Sequence, residues 1–273
     1  MSTTIFEIKE HVAYIKLNRP DSMNALNPEL RYALSQHLDE VENNKDIWLA
    51  VISGEGDKAF CAGMDLKHRA LLANATDEQI TEWDRLQENT VPLNQRWEFP
   101  KPVIAKVNGF ALGGGLELAL ACDIIVASEN SKFGLPEPRR GLIAGGVGVH
   151  SLPRQIGLKP AMGYLLTGRH MSATRAFELG LVNEVVSAEK LDEVVEEWVK
   201  DILLCSPMAV RATKQAAMRG LDTSLSQAFS NSYEYEIARA ESEDAIEGPL
   251  AFAEKRKPQW KGFDEKTRYF NSD

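Results

Sequence analysis

The order of short apolar strands, glycine turns and helices predicts an α/β protein, with a sheet-rich core over residues 1–190 and a helical region over residues 191–273. Three observations carry this. Residues 5–8 and 12–17 alternate apolar and polar around a short turn, as an antiparallel hairpin does. A strand, a glycine-rich turn, a helix and another strand follow one another across residues 102–127. From about Leu158 onward apolar residues recur every three or four positions, the period of a helix.

Taken in order, Asn27-Pro28 supplies an N-cap and a proline at the first helical position. The helix that follows carries Leu30, Ala33, Leu34, Leu38 and Val41 on one face. Residues 48–52 form a short apolar strand stopped by Ser53-Gly54-Glu55-Gly56. Thr76-Asp77-Glu78-Gln79 has capping-box spacing and opens a helix through Trp83 and Leu86. Residues 102–107 read as a buried strand, 114–120 as a helix and 124–127 as the next strand. Helices are expected over 160–166, 173–179, 191–204, 209–219 and 225–240, with a strand at 181–186. No Pro/Gly/Ser-rich linker precedes residue 191, so the helical region is expected to pack on the core or on another subunit.

Composition narrows the function. The chain has 273 residues, 44% hydrophobic and 26% charged, the balance of an ordinary globular protein. A net charge of −9 argues against non-specific binding to nucleic acid or an anionic membrane, but leaves room for an anion held by a few placed cations. Cys61, Cys122 and Cys205 are too few and too scattered for a disulfide framework, and no metal site is expected. Cys122 reads as a small core residue in an apolar run. No stretch reaches eighteen apolar residues and the amino terminus enters a strand directly, so a cytoplasmic protein is expected. The final Phe270-Asn271-Ser272-Asp273 is not a peroxisomal address.

The most informative segment runs from Val107 through Gly113-Gly114-Gly115 to Glu117 and Ala119. A strand entering consecutive glycines and then a helix exposes backbone N–H groups at the positive end of a helix dipole. That suits a phosphate, a carboxylate or a developing oxyanion. Plain close packing also explains three glycines. A dinucleotide turn does not fit, because G-x-G-x-x-G spacing after a first strand is missing, and no Lys-Ser/Thr follows to make a P-loop. Glu117 stands one helical turn beyond the glycines, near the same opening. Twenty residues on, Glu137 lies between Pro136 and Pro138, on backbone stiffened from both sides. Arg139 and Arg140 leave open the alternative that Glu137 is half of an ion pair.

Together these segments resemble the crotonase (enoyl-CoA hydratase/isomerase) family. The resemblance rests on Asn18-Arg19-Pro20 with Asn24-Ala25-Leu26, on Ala59-Phe60-Cys61-Ala62-Gly63-Met64-Asp65-Leu66 and on Lys101-Pro102-Val103-Ile104-Ala105. It continues through Asn108-Gly109-Phe110-Ala111-Leu112-Gly113-Gly114-Gly115-Leu116-Glu117, Cys122-Asp123-Ile124 and Phe133-Gly134-Leu135-Pro136-Glu137. Leu166-Thr167-Gly168-Arg169, Gly180-Leu181-Val182-Asn183 and Phe252-Ala253-Glu254-Lys255-Arg256-Lys257-Pro258 extend it, in order, over residues from about 5 to 263.

The resemblance implies a spiral of β-β-α turns with carboxy-terminal helices used in trimerisation, and a homotrimer or homohexamer. It implies an acyl-CoA substrate whose thioester enolate is held by the amides of Met64 and Gly114, with no cofactor beyond the CoA of the substrate. Glu117 and Glu137 match the paired glutamates of the hydratases, Glu117 activating water for attack at C3 and Glu137 donating a proton at C2. A shared water brings the pair close and couples their titration. Ala62, Asp65, Leu66, Gly113 and Gly145 are the implied substrate contacts. Phe252, Lys255 and Arg256 are implied to meet the adenine and phosphates of CoA, in some members from a neighbouring subunit.

Paired glutamates point to addition or removal of water; a Δ3,Δ2-enoyl-CoA isomerase using Glu137 alone and a carnitinyl-CoA-type dehydratase are the alternatives. An RNA-binding role, known in some relatives, is disfavoured by the acidic charge. One stretch departs from the family: Ala144 stands for a usual proline, Val147 for a usual glycine and Ser151 for a frequent arginine. That puts the acyl wall in question and argues against a plain straight chain. His150 reads as a surface or interface histidine more readily than a pocket one. The segment 68–98, with Trp83 and Trp97, is expected to line the acyl end.

Overall fold

A computed structural model describes residues 2–71 and 74–262. β1 (Thr4–Lys9) and β2 (Val12–Leu17) pair antiparallel across a tight turn in which Glu10 and His11 take positive φ, at 43° and 72°. α1 (Pro28–Asn43) starts as expected: the Asn27 side chain accepts the Leu30 N–H at 3.1 Å. Its Leu30, Leu34, Leu38 and Val41 are buried, whereas Ala33 is only half-buried. β3 (Leu49–Gly54) lies parallel to β2, and β4 (Ala59–Cys61) leaves it to begin a second sheet. α2 (Leu66–Leu71) and α3 (Asp77–Glu88) follow, the latter with both hydrogen bonds of the Thr76–Gln79 capping box.

The chain then repeats this turn. β5 (Val103–Val107) joins β3 in the first sheet and β6 (Phe110–Leu112) joins β4 in the second, before α4 (Gly114–Leu120). β7 (Ile124–Ser128) pairs with β5 and β8 (Lys132–Gly134) with β6, before α5 (Gly148–Ile156) and α6 (Leu158–Leu165). Each passage therefore adds one strand to each sheet and then a helix, which is the expected β-β-α spiral. β9 (Met171–Ser172) closes the second sheet and, after α7 (Ala173–Glu178), β10 (Glu184–Val186) closes the first. The orders are β1-β2-β3-β5-β7-β10 and β4-β6-β8-β9.

Parallel strands bury both faces, and here they serve two cores. Ala13, Ile15, Ala50, Ile52, Val103 and Ala105 face α1 and the second sheet. Val12, Leu49, Val51, Ile104 and Val126 face α8 (Leu191–Leu203), so the first carboxy-terminal helix packs directly on the sheet. α9 (Pro207–Gly220), α10 (Leu225–Ser230), α11 (Glu234–Ala240) and α12 (Asp244–Glu254) complete the region. The single helix expected over 225–240 is two, interrupted where Asn231 and Tyr233 are extended. Tyr233 is buried and its hydroxyl donates to the Ala228 carbonyl, so burying the ring breaks the helix. α5 and α12 were not expected; each contains a proline, Pro153 or Pro249, which masks its period.

Candidate active site

A cavity of about 410 Å³ opens where the two motif-rich loops meet the amino terminus of α4. Ala62, Met64, Leu66, Gly113, Gly114, Glu117, Glu137 and Gly145 all line it.

The Arg19–Leu26 segment is a clamp for this site. Asn24 is fully buried at φ 53°, and its side chain donates to the Glu55 and Ala59 carbonyls at 3.0 and 2.8 Å while accepting the Arg19 N–H. Asparagine tolerates that backbone because its short polar side chain bonds locally. Arg19 pairs with Asp65 at 2.9 Å and donates to the Ala25 carbonyl. These bonds hold a parallel bridge between Leu26 and Met64: the Leu26 N–H meets the Gly63 carbonyl at 2.8 Å, and the Asp65 N–H meets the Leu26 carbonyl at 3.2 Å. In such a bridge the neighbours of Met64 make the bonds, so the Met64 N–H points away from Leu26.

The three glycines have separable reasons. Gly113 takes φ 54° and ψ −129°, a conformation reserved for glycine. Gly115 lets α4 press on β4, since a Cβ there would stand 2.0 Å from the Cys61 carbonyl oxygen. Gly114 is the first residue of α4, where N–H groups have no intrahelical acceptor. A Cβ built on Gly114 would lie 3.8 Å from the Met64 nitrogen, which puts the two amides on one small patch of the wall.

Two carboxyl groups complete it. Glu117 is 7% exposed; its Oε1 accepts the Gly148 N–H at 2.9 Å. Burial raises its pKa above the ordinary carboxylate range, partly opposed by the amides of Gly148 and Gly146. Glu137 opens a short 3₁₀ turn, Glu137–Arg140. Its pKa is also raised, by burial and then by the charge of Glu117, so the two carboxyls feel each other. Among the described residues no ion pair forms between Glu137 and Arg139 or Arg140; Arg139 donates instead to the Thr167 carbonyl. Glu137 Oε2 is buried without a hydrogen-bond partner, which a charged carboxylate tolerates poorly and a protonated one better.

Other expected contacts land elsewhere. Asp65 is not a cavity residue: its carboxylate is used by Arg19 and by the His68 N–H at the start of α2. Phe252, on α12, is 87% exposed, and Lys255 ends that helix in a left-handed conformation; neither lines the cavity. Arg256 is held by Glu247 and Glu254. His150 is exposed on α5, away from the cavity. Of segment 68–98 the wall takes Arg69 and Pro92–Gln95, while Trp83 packs edge-on against His68 and Trp97 is 72% exposed. Ala144 is buried under Gly148, and Val147 sits at φ 76°, where a usual glycine would be at ease. Cys61 is sealed in the core with its pKa pushed up to about 12, which removes it as a nucleophile. Asn94, in the expected segment, donates its amide to the Gly146 carbonyl, and the wall residues not foreseen include Arg31 and Arg140. Among the described residues no cluster of potential metal ligands occurs and no helix is long and apolar enough to cross a membrane.

The cavity wall thus brings together the head of α4, the Met64 loop and two carboxyl groups, Glu117 buried and Glu137 half-buried, with Arg31, Arg69 and Arg140. The chain belongs to the enoyl-CoA hydratase/isomerase family, whose model matches residues 7–264. It is 40% identical over 94% of its length to the (E)-benzylidenesuccinyl-CoA hydratase of Thauera aromatica, covering 98% of that protein. It is 39% identical to the crotonyl-CoA hydratase of Syntrophomonas wolfei over 93% of this chain and 95% of that one. The crystal structure of enoyl-CoA hydratase from Mycobacterium tuberculosis matches with a TM-score of 0.86 at 35% identity, over 96% of this chain and all of that one. The chain is thus an enzyme of the crotonase fold and family.

Proposed function

We propose that this enzyme is an enoyl-CoA hydratase, adding water reversibly across the 2,3 double bond of an acyl-CoA thioester. The observation that carries the reading is the pair of carboxyls in one cavity wall with Met64 and Gly114, Glu117 buried and Glu137 half-buried with its pKa raised by burial and by the charge of Glu117. The thioester oxygen accepts both N–H groups, and the charge that develops on it in the enolate is favoured at the head of α4. Glu117, whose anion is helped by the Gly148 amide, takes a proton from the water attacking C3. Glu137, with a partnerless buried oxygen and the charge of Glu117 nearby, is the carboxyl that keeps its proton and delivers it to C2. No cofactor is needed beyond the CoA of the substrate. Exposed Leu225, Phe229, Ile246 and Phe252 on the carboxy-terminal helices support association with other subunits, which we read as a homotrimer or a hexamer of two trimers.

The test is a set of 2-enoyl-CoA thioesters of differing length, branching and aromaticity, followed by loss of enoyl absorbance and gain of the mass of water. Folded protein that turns over none of them refutes the reading. Glu117→Gln and Glu137→Gln should each lose at least 10²–10⁴-fold in kcat. An isomerase working through Glu137 alone would survive Glu117→Gln.

A further inference from the structure

Arg31 is a charged cavity residue that water addition does not use. It lies on the first turns of α1, three residues before buried Leu34, and both side chains reach the cavity. Ser35, the next residue on that helix, binds the Val91 carbonyl and N–H at 3.2 and 2.9 Å and so ties the wall segment Pro92–Gln95 to α1. From the same segment Asn94 reaches the Gly146 carbonyl, beside the Glu117 carboxyl. Arg31 therefore lies on the stretch of wall that α1 shares with Pro92–Gln95. The mouth is formed by exposed Met64, Arg69, Arg140 and Ile143.

This guanidinium is half-buried, and among the described residues it has no ion-pair or side-chain hydrogen-bond partner. The acids of α1 itself are committed elsewhere: Glu29 to Asn27, Asp39 and Glu42 to Arg96, Glu40 to Asn44. Burial alone acts on its pKa, with no carboxylate to offset it. An arginine drawn from water without a counter-charge is costly unless a ligand supplies one. Its forked donors match a carboxylate in two parallel hydrogen bonds.

We infer that Arg31 is a recognition site for a second carboxylate carried by the acyl group, so that the preferred substrate is the CoA half-thioester of an unsaturated dicarboxylic acid. This rests on the enoyl-CoA reading of the same cavity. The carboxylate lies beyond C3 from the thioester, on the α1 side, and Arg31 offsets its repulsion with Glu117. A phosphate of CoA is the other anion that a guanidinium could hold. Arg31 is half-buried whereas Arg69 and Arg140 are exposed, which favours the acyl carboxylate for Arg31 and leaves the exposed pair to the nucleotide end.

The experiment compares 2-hexenoyl-CoA with the monothioester 2-hexenedioyl-CoA on the full chain and on Arg31→Leu and Arg31→Lys. The dicarboxylic substrate should have at least tenfold higher kcat/KM on the native enzyme. Arg31→Leu should cost it about 10- to 100-fold while changing the neutral substrate less than threefold, and Arg31→Lys should recover part of the loss. Equal kcat/KM for the two native reactions overturns the inference. So does an equal fall on both substrates in Arg31→Leu that disappears with the matching pantetheine thioesters, since that assigns Arg31 to a CoA phosphate. Calorimetric binding of adipoyl-CoA against hexanoyl-CoA reads the carboxylate without turnover. A preference for adipoyl-CoA lost in Arg31→Leu supports the inference even if hydration fails, and no preference overturns it even if hydration succeeds.

Discussion

Gly146→Ala is the most direct probe of where the Glu117 carboxyl must stand. Gly146 does not occupy the positive-φ region, so alanine is compatible with its backbone; the difficulty is space. The new Cβ would lie 2.5 Å from Glu117 Oε2, 2.9 Å from its carboxyl carbon and 3.0 Å from Asn94 Nδ2. Ordinary contact begins at 3.4 Å, so the carboxyl must retreat by about 0.9 Å. It cannot do so freely, because Glu117 Oε1 is held by the Gly148 N–H and the side chain is buried. A misplacement of about 1 Å in a reacting group costs roughly 10²-fold in rate. Overpacking of this kind costs about 1–3 kcal/mol, or roughly 2–4 °C in Tm per kcal/mol for a chain of this size. The expected result is a folded enzyme with kcat down about a hundredfold and KM little changed, measured by enoyl absorbance at saturating substrate. Gly163→Ala, at an open position on α6, controls for the substitution and should keep kcat. Gly146→Ala with kcat within threefold of the native value would refute the placement of Glu117 at the attacking water.

Glu117→Gln should inactivate and stabilise together. The folded-state pKa of Glu117 lies above its unfolded value, so its contribution is most favourable at low pH and is lost as pH rises through the ordinary carboxylate range and beyond. The variant should therefore melt higher than the native enzyme at pH 7, with the gap closing below about pH 4; a lower Tm at pH 7 contradicts this. Val147→Gly tests the strain at φ 76°, which for a β-branched residue costs about 1–2 kcal/mol. Its relief should offset the lost side chain and the added chain entropy, leaving Tm unchanged or raised by thermal melting; a loss above about 1 kcal/mol shows that the loop is not strained.

Much of this molecule was legible in the chain because the informative signals are local. Asn27-Pro28 and Thr76–Gln79 satisfy helix amides within a few residues, and both caps formed where expected. The strands of the first sheet are five or six residues long except β10, enough to show a buried run or an alternation. The second sheet was invisible for the opposite reason: β4, β6, β8 and β9 have two or three residues each, too few to carry a period.

By itself, then, the sequence determined the class of fold, the glycine turn at Gly113–Gly115 and the pair Glu117 and Glu137, since each is a matter of residue type and short spacing. What only the tertiary structure decided depends on groups far apart in the chain. It pairs the Asp65 carboxylate with Arg19, and leaves Phe252 and Lys255 away from the cavity of their own chain. It sets the Gly148 amide, 31 residues away, against Glu117, and leaves the Arg31 guanidinium on the cavity wall without a side-chain partner among the described residues. Burial and the absence of a counter-charge are properties of the surroundings of a side chain, and those surroundings exist only once the spiral has closed.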